Sequence, residues 1–93
     1  MKDLFFAPTV VELERRKRIR LTMAAYGYEF ENHSFMSDAE FDKLALSIDP
    51  TIKTGNEALD AFFAKEFQPD TGMWIRKHPD LEAVKRCFKR YYS

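Results

Sequence analysis

The sequence YGYEFENHSFMSDAEFDKL, residues 26–44, decides the fold of this chain. Ser37 and Glu40 have the spacing of a capping box, in which the two side chains satisfy free N–H groups at a helix start. Asn32-His33-Ser34, a few residues earlier, is typical of a turn. The stretch therefore predicts the end of one helix, a short turn and the start of a second helix.

The first helix is predicted to start at Val10, because Thr9 and Glu12 also have capping-box spacing. Gly27 weakens this helix near its end, since glycine is a poor helix former. Apolar residues that recur every three or four positions form the face of a helix that packs on a core. In the first helix this stripe consists of Ile19, Met23, Tyr26 and Phe30.

The second helix is predicted to end before Pro50, because the residue that precedes a proline avoids helical geometry. A third helix is predicted from Asn56 or Glu57 to Phe67, and Pro79 suits the first turn of a fourth. The core stripes of these three helices are Phe41, Leu44, Ala45 and Ile48; Leu59, Phe62, Phe63 and Phe67; and Leu81, Val84, Phe88 and Tyr91.

Strand-like alternation of apolar and polar residues is nearly absent, so the predicted fold class is all-α. A length of 93 residues fits one small domain, a compact bundle of about four helices. Within this domain, 1–93, residues 10–48 form a helical hairpin and residues 49–93 add further helices. Leu4-Phe5-Phe6 is expected to pack against the bundle as an N-terminal apolar arm.

The overall composition excludes several function classes. Fifteen basic and 15 acidic residues give a formal net charge of zero, which disfavours a dedicated nucleic-acid coat. No apolar run approaches the ~20 residues that span a bilayer, so no membrane partner is expected. Cys87 is the only cysteine, which excludes an internal disulfide and fits a reducing cytoplasm. His33 and His78 add no metal-ligand spacing to it, so no metal site is expected.

Asp38 and Asp42 lie one turn apart at the start of the second helix, so their carboxylates share a face. Together with Tyr28, they resemble a tyrosine and an aspartate-alanine-glutamate-tyrosine-aspartate run in the small N-terminal domain of NAD-dependent DNA ligases. Residues 15–48 carry this resemblance. It implies that Tyr28, Asp38 and Asp42 contact NAD or nicotinamide mononucleotide, through ring stacking and hydrogen bonds to ribose.

Two positions of this candidate nucleotide site depart from the family pattern. Glu29 stands where the family has histidine, and its carboxylate would repel the phosphate of the mononucleotide. Phe41 stands where the family has tyrosine and lacks the hydroxyl. The chain also lacks the Lys-X-Asp-Gly motif whose lysine forms the covalent adenylate. We therefore expect no enzyme activity and no catalytic residues, and no cofactor beyond NAD or the mononucleotide.

Five of the six residues 15–20 are basic, and four more basic residues lie between 85 and 90. Such clusters bind nucleic-acid phosphates, or they form a solvated helix face with i,i+4 pairs of Glu12 with Arg16 and of Glu14 with Arg18. The candidate nucleic-acid contacts are Arg15, Arg16, Arg20, Lys85, Arg86 and Lys89.

Aromatic residues make up 15% of the chain, and most should lie in the core. Trp74, Tyr91 and Tyr92 are the candidates for an exposed protein contact. The leading function is therefore a non-catalytic protein that binds another protein, such as an inhibitor or modulator of a host enzyme or defence system. The alternatives are a binder of NAD-like nucleotides and a nucleic-acid-associated accessory protein. The chain also looks like stand-alone ligase-related proteins of bacteriophages, which implies the cytoplasm of a bacterial host.

Overall fold

The structure, a computed structural model, describes residues 8–92. The elements of this part are all helical, which confirms the all-α prediction. The expected apolar arm Leu4-Phe5-Phe6 lies outside the described residues. The helices are α1 (Val10–Phe30), α2 (Asp38–Ser47), α3 (Glu57–Lys65) and α4 (Leu81–Tyr91), with a short 3-10 helix (Met73–Lys77) before α4.

Side-chain caps start the helices where the sequence predicts them. Thr9 Oγ1 accepts a hydrogen bond from the backbone N–H of Glu12 at 3.1 Å. The Ser37 and Glu40 capping box is complete, since each side chain accepts from the backbone N–H of the other residue. Asn56 caps α3 in the same way, by accepting from the N–H of Leu59. The predicted starts of α1, α2 and α3 are therefore confirmed.

Helix α1 is the central element of the bundle. Helices α2 and α4 and the 3-10 helix all contact it. As a result, every residue from Leu21 to Gly27 is buried, and the burial is not confined to one stripe. The predicted stripe of α1 is therefore only half correct. Met23 and Tyr26 are buried, but Ile19 and Phe30 are exposed at 47% and 42%. Ile19 faces an open groove between helices, and Phe30 is the last residue of α1.

The core between α3, the 3-10 helix and α1 is aromatic. Trp74 packs with its ring centroid 5.2 Å from Phe67, 5.6 Å from Phe63 and 6.0 Å from Phe62. Helix α3 ends at Lys65, two residues before the predicted end, but Phe67 still packs against this cluster. The short Met73–Lys77 helix thus serves mainly to insert Trp74 and Ile75 into the core.

Helix α4 packs beside α1 through Val84 and Phe88, which are both buried. Phe88 lies against Gly27, where a β-carbon would come within 3.0 Å of its ring and 2.7 Å of the His33 carbonyl oxygen. Gly27 therefore lets the turn after α1 fold back closely. Tyr91 is wrongly predicted to be core: it is 68% exposed, because it occupies the last position of α4.

Candidate functional site: a groove between three helices

An open groove of about 600 Å³ lies between α1, the start of α3 and the start of α4. Its wall from α1 includes Ile19 and Met23, and its wall from α4 includes Val84 and Cys87. Most of the side chains that line it are apolar. They are joined by a few polar and charged groups: Arg15, Arg18, Thr22, Thr54, Asn56, His78 and Asp80.

Arg18 lines the groove and is nevertheless almost completely buried, with 4% exposure. Its Nε donates to Glu14 Oε2 at 2.8 Å, and its Nη1 donates to Asp60 Oδ1 at 2.9 Å. Its Nη2 donates to the backbone carbonyls of Asp49 and Ile52, both at 2.9 Å. One guanidinium therefore ties α1 to α3 and to the loop between α2 and α3.

Thr54 completes this charged cluster. Its backbone N–H donates to Asp60 Oδ2 at 2.9 Å, and its hydroxyl donates to Asp60 Oδ1 at 2.7 Å. Burial opposes the charge on Asp60, but the hydrogen bonds from Thr54 and Arg18 outweigh it and hold the pKa of this carboxyl below its ordinary value. Asp60 is thus a carboxylate that fixes the edge of the groove.

Arg15 and Asp80 carry the exposed charges of the groove. The Arg15 guanidinium donates to the backbone carbonyl of Thr54, on the α3 side. Asp80 caps α4 on the other side, where its carboxylate accepts from the N–H of Ala83 at 3.1 Å. The groove therefore has a cation on one wall and an anion on the opposite wall.

His78 and Cys87 are half-buried side chains that line the same groove. His78 Nδ1 accepts the backbone N–H of Asp80 at 2.9 Å, which leaves that nitrogen without a proton. Burial lowers the pKa of His78, and the nearby Asp80 charge only partly opposes this effect. Cys87 is a free thiol, as expected.

The structure brings together part of the candidate nucleotide site. The Tyr28 hydroxyl lies 2.9 Å from the Met36 carbonyl oxygen and 3.2 Å from Asp38 Oδ1, so it can donate to either. Asp42 is exposed on the following turn. Phe41, in contrast, is buried and packs edge-on against the Tyr28 ring at 5.6 Å. Phe41 therefore supports Tyr28 from the core side.

Glu29 makes an ion pair that the sequence does not suggest. Its Oε1 lies 2.9 Å from Nε of Arg76, which also stacks over the Phe30 ring at 5.3 Å. The Glu29 charge is therefore partly neutralised. A second, smaller cavity of about 360 Å³ lies beside α2. Neither this cavity nor the groove is lined by Tyr28, Asp38 or Asp42.

The candidate nucleic-acid residues are distributed over several faces. Arg15 faces the loop before α3, Arg16 pairs with Glu12 at 3.9 Å, and Arg20 lies over Phe35 near α2. Lys89 pairs with Glu31 at 3.1 Å, beyond the far end of α1. Arg15 and Glu31 are about 24 Å apart along α1, by the helix rise per residue. Lys85 and Arg86 are exposed on α4. Nucleic-acid binding by these six residues stays a prediction.

The candidate protein-contact residues also differ in their environments. Trp74 is only 3% exposed, so its expected surface position is wrong: it packs against the phenylalanines of α3 and of the turn after it. Tyr91 is exposed beneath the Arg90 guanidinium. Tyr92 is half-buried and stacks on Phe35 with a centroid distance of 4.8 Å. Only Tyr91 is freely available for a partner.

Sequence reasoning missed the groove and the charged cluster beneath it. The i,i+4 spacing of Glu14 and Arg18 correctly predicted that they pair, but it indicated a solvated helix face and not a buried pair. Asp60 gave a second signal as a charged residue between apolar positions of α3. Among residues 8–92, no group of three or more His, Cys, Asp or Glu side chains could hold a metal ion. No helix in the same range is long and apolar enough to cross a membrane.

The comparisons with known proteins add no relative. No family model, curated protein or solved structure matches the chain. The groove can take an apolar group beside two opposite charges.

Proposed function

We propose that this protein acts by binding, and that the groove between α1, α3 and α4 receives a segment of a protein partner. The observation that carries the proposal is the mainly apolar lining of an open groove of about 600 Å³, with a buried Arg18 that makes four hydrogen bonds at its base. The volume is similar to that of a small-molecule pocket, roughly 300–1,000 Å³. It accommodates a few side chains of a partner.

The rigidity of the groove supports the same proposal. The cluster of Glu14, Arg18, Thr54 and Asp60 fixes the loop that forms one edge, so little ordering is needed on binding. A preformed site loses less entropy on association and binds more tightly for a given contact area. Ile19, exposed at 47%, then gains apolar burial when the groove is filled.

Cys87 makes this proposal directly testable, because the only cysteine of the chain lies in the groove wall. Binders are selected from a random dodecapeptide library on the immobilised protein. Each selected peptide is then tested for its ability to slow alkylation of Cys87 by iodoacetamide. Groove binders should protect the thiol.

Two variants of α1 provide a matched pair for this experiment. Ile19 lines the groove and Leu13 does not, although their exposures are 47% and 46%. Ile19→Asp should weaken the selected peptides by about tenfold or more, since it places a charge on an apolar contact. Leu13→Asp should leave the affinity unchanged. Equal losses in both variants, or peptides that bind without protecting Cys87, would contradict the proposal.

A nucleotide is the second candidate ligand, supported by the contact between Tyr28 and Asp38 at an exposed helix start. Calorimetry with NAD and with nicotinamide mononucleotide tests it. Wild type should bind one of them with a dissociation constant of about a millimolar, and Asp42→Ala should abolish the heat. No heat from wild type or from Glu29→His would exclude this candidate.

A further inference from the structure

The two exposed charges of the groove lie near the same end of it. Helices α1 and α4 run in the same direction, because Phe88 packs on Gly27 and the next residue, Lys89, pairs with Glu31 just beyond the end of α1. Asp80 lies eight residues, or about 12 Å of helix rise, before Phe88. The same distance before Gly27 along α1 is the position of Ile19, so Asp80 lies at about the level of Ile19. Arg15 lies about one turn, or ~6 Å, beyond that level.

The two charges nevertheless belong to opposite walls. Arg15 is hydrogen-bonded to the loop before α3, whereas Asp80 caps α4. The other end of the groove is uncharged and is lined by Met23 and Cys87, together with the polar Thr22. Arg18 adds no free charge to this pattern, because Glu14 and Asp60 both pair with it. The groove is therefore uncharged at one end and has a positive and a negative wall at the other.

We propose that the partner segment carries an acidic side chain that pairs with Arg15 and a basic side chain that pairs with Asp80. Between them, an apolar side chain enters the end lined by Met23 and Cys87. This inference rests on the proposed function, because it specifies the partner of the same groove. Complementary charges at the rim of an interface select the correct partner and set its orientation, and a like charge opposite either wall is rejected.

The peptide selection described above tests the charge pattern when it is repeated on variants. On wild type, enriched peptides should share an acidic and a basic residue at a fixed spacing around an apolar residue. On Arg15→Glu, a basic residue should replace the acidic one. On Arg15→Gln, which keeps a donor for the Thr54 carbonyl, the acidic preference should disappear without inverting.

Asp80→Ser is the corresponding change on the other wall. Serine is also a good helix cap, so this variant removes the charge and retains the start of α4. The preference for a basic residue should then be lost. Arg16→Glu is the matched control, because Arg16 is the exposed neighbour of Arg15 and does not line the groove. Selection on Arg16→Glu should enrich peptides with the same acidic and basic residues as selection on wild type.

A single selected peptide gives the quantitative check. Replacing its acidic residue by alanine should weaken binding to wild type several-fold and should not affect binding to Arg15→Gln, as expected of a direct pair in a double-mutant cycle. The inference is overturned if peptides that bind in the groove share no acidic and basic residues, or if their charge preference is the same on Arg15→Glu as on wild type. In either case the proposed function is still supported. If no peptide depends on Ile19 or protects Cys87, both are overturned.

Discussion

Four hydrogen bonds hold Arg18 below the surface, in a run where its basic neighbours Arg15, Arg16 and Arg20 are exposed. Its charge is balanced by Glu14 and Asp60. A buried ion pair adds little net stability, but removal of one partner leaves an uncompensated charge in the interior. The role of Arg18 is therefore structural, whereas its neighbours are available for contacts.

We expect Arg18→Ala to destabilise the protein by ~3–5 kcal/mol, because it leaves the buried Asp60 without its cation and Glu14 with Lys17 alone, at 3.3 Å. Arg16 is exposed and pairs with the exposed Glu12, so Arg16→Ala should change the free energy of unfolding by at most about 0.5 kcal/mol. Urea denaturation of both variants checks this pair. Equal midpoints would show that the cluster contributes nothing to stability.

A second residue-scale prediction concerns protonation of His78. Burial lowers its pKa from the ordinary value of 6.5, and the Asp80 charge opposes the shift. Below pH 6.5 the unfolded chain therefore binds more protons at this site, and stability falls as the pH is lowered through the folded pKa. Proton NMR should give a midpoint for His78 below 6.5, and Asp80→Ser should lower it further. A midpoint at or above 6.5 would contradict the burial argument.

At the scale of elements, Gly27 is the informative position in α1. Its carbonyl oxygen accepts from the N–H groups of Glu31 and His33, at 3.2 and 2.9 Å, so the chain reverses tightly against it. A β-carbon there would lie only 2.7 Å from the His33 carbonyl oxygen, which belongs to the backbone and cannot rotate away.

We therefore expect Gly27→Ala to destabilise the protein, although alanine has the higher helix propensity by roughly 1 kcal/mol. The same change at Gly72, where a β-carbon would make ordinary contacts of 3.5 Å or more, is the control. Thermal unfolding should give a lower melting temperature for Gly27→Ala than for Gly72→Ala. A rise in melting temperature for Gly27→Ala would mean that the turn after α1 can move.

The elements were largely predictable from the sequence, because caps such as Thr9 and Ser37 act within three residues of themselves. Burial was less predictable. Ile19 fits the periodic stripe of α1 but lines an open groove, so its exposure depends on how closely α3 and α4 pack beside it. The candidate site was not predictable for a related reason: Arg18 and Asp60 are 42 positions apart, and no local signal pairs them.

At the scale of the whole molecule, the charged cluster links stability to acid. Asp60 has a folded pKa below its ordinary value of 3.8, so its contribution is fully present above that pH and is lost as the pH falls through the folded pKa. Hydrogen bonds from Thr51 lower the pKa of Asp49 in the same direction. Both carboxylates belong to the cluster and the loop that form the edge of the groove.

We predict that wild type loses stability steeply below about pH 4, and that Asp60→Asn is less stable at pH 7 but has a shallower decline in acid. The N–H of Thr54 and the Arg18 guanidinium donate to different oxygens of Asp60, and the asparagine side chain has only one oxygen. The variant is therefore less stable at pH 7. Urea midpoints measured between pH 3 and pH 7 check both statements. If the urea midpoints of the two proteins fall in parallel as the pH is lowered, Asp60 does not cause the loss of stability in acid.

The burial of Arg18 also has an evolutionary consequence. Substitution of one member of a buried charged cluster is costly, whereas replacement of all members by apolar residues is often tolerated. In any set of related sequences, Glu14, Arg18 and Asp60 should therefore vary together, either as the charged set or as an apolar set. Arg15, Arg16 and Arg20 should vary independently of this set. The basic run 15–20 thus contains one residue, Arg18, whose substitutions are coupled to those of Glu14 and Asp60, among residues that are not coupled to them.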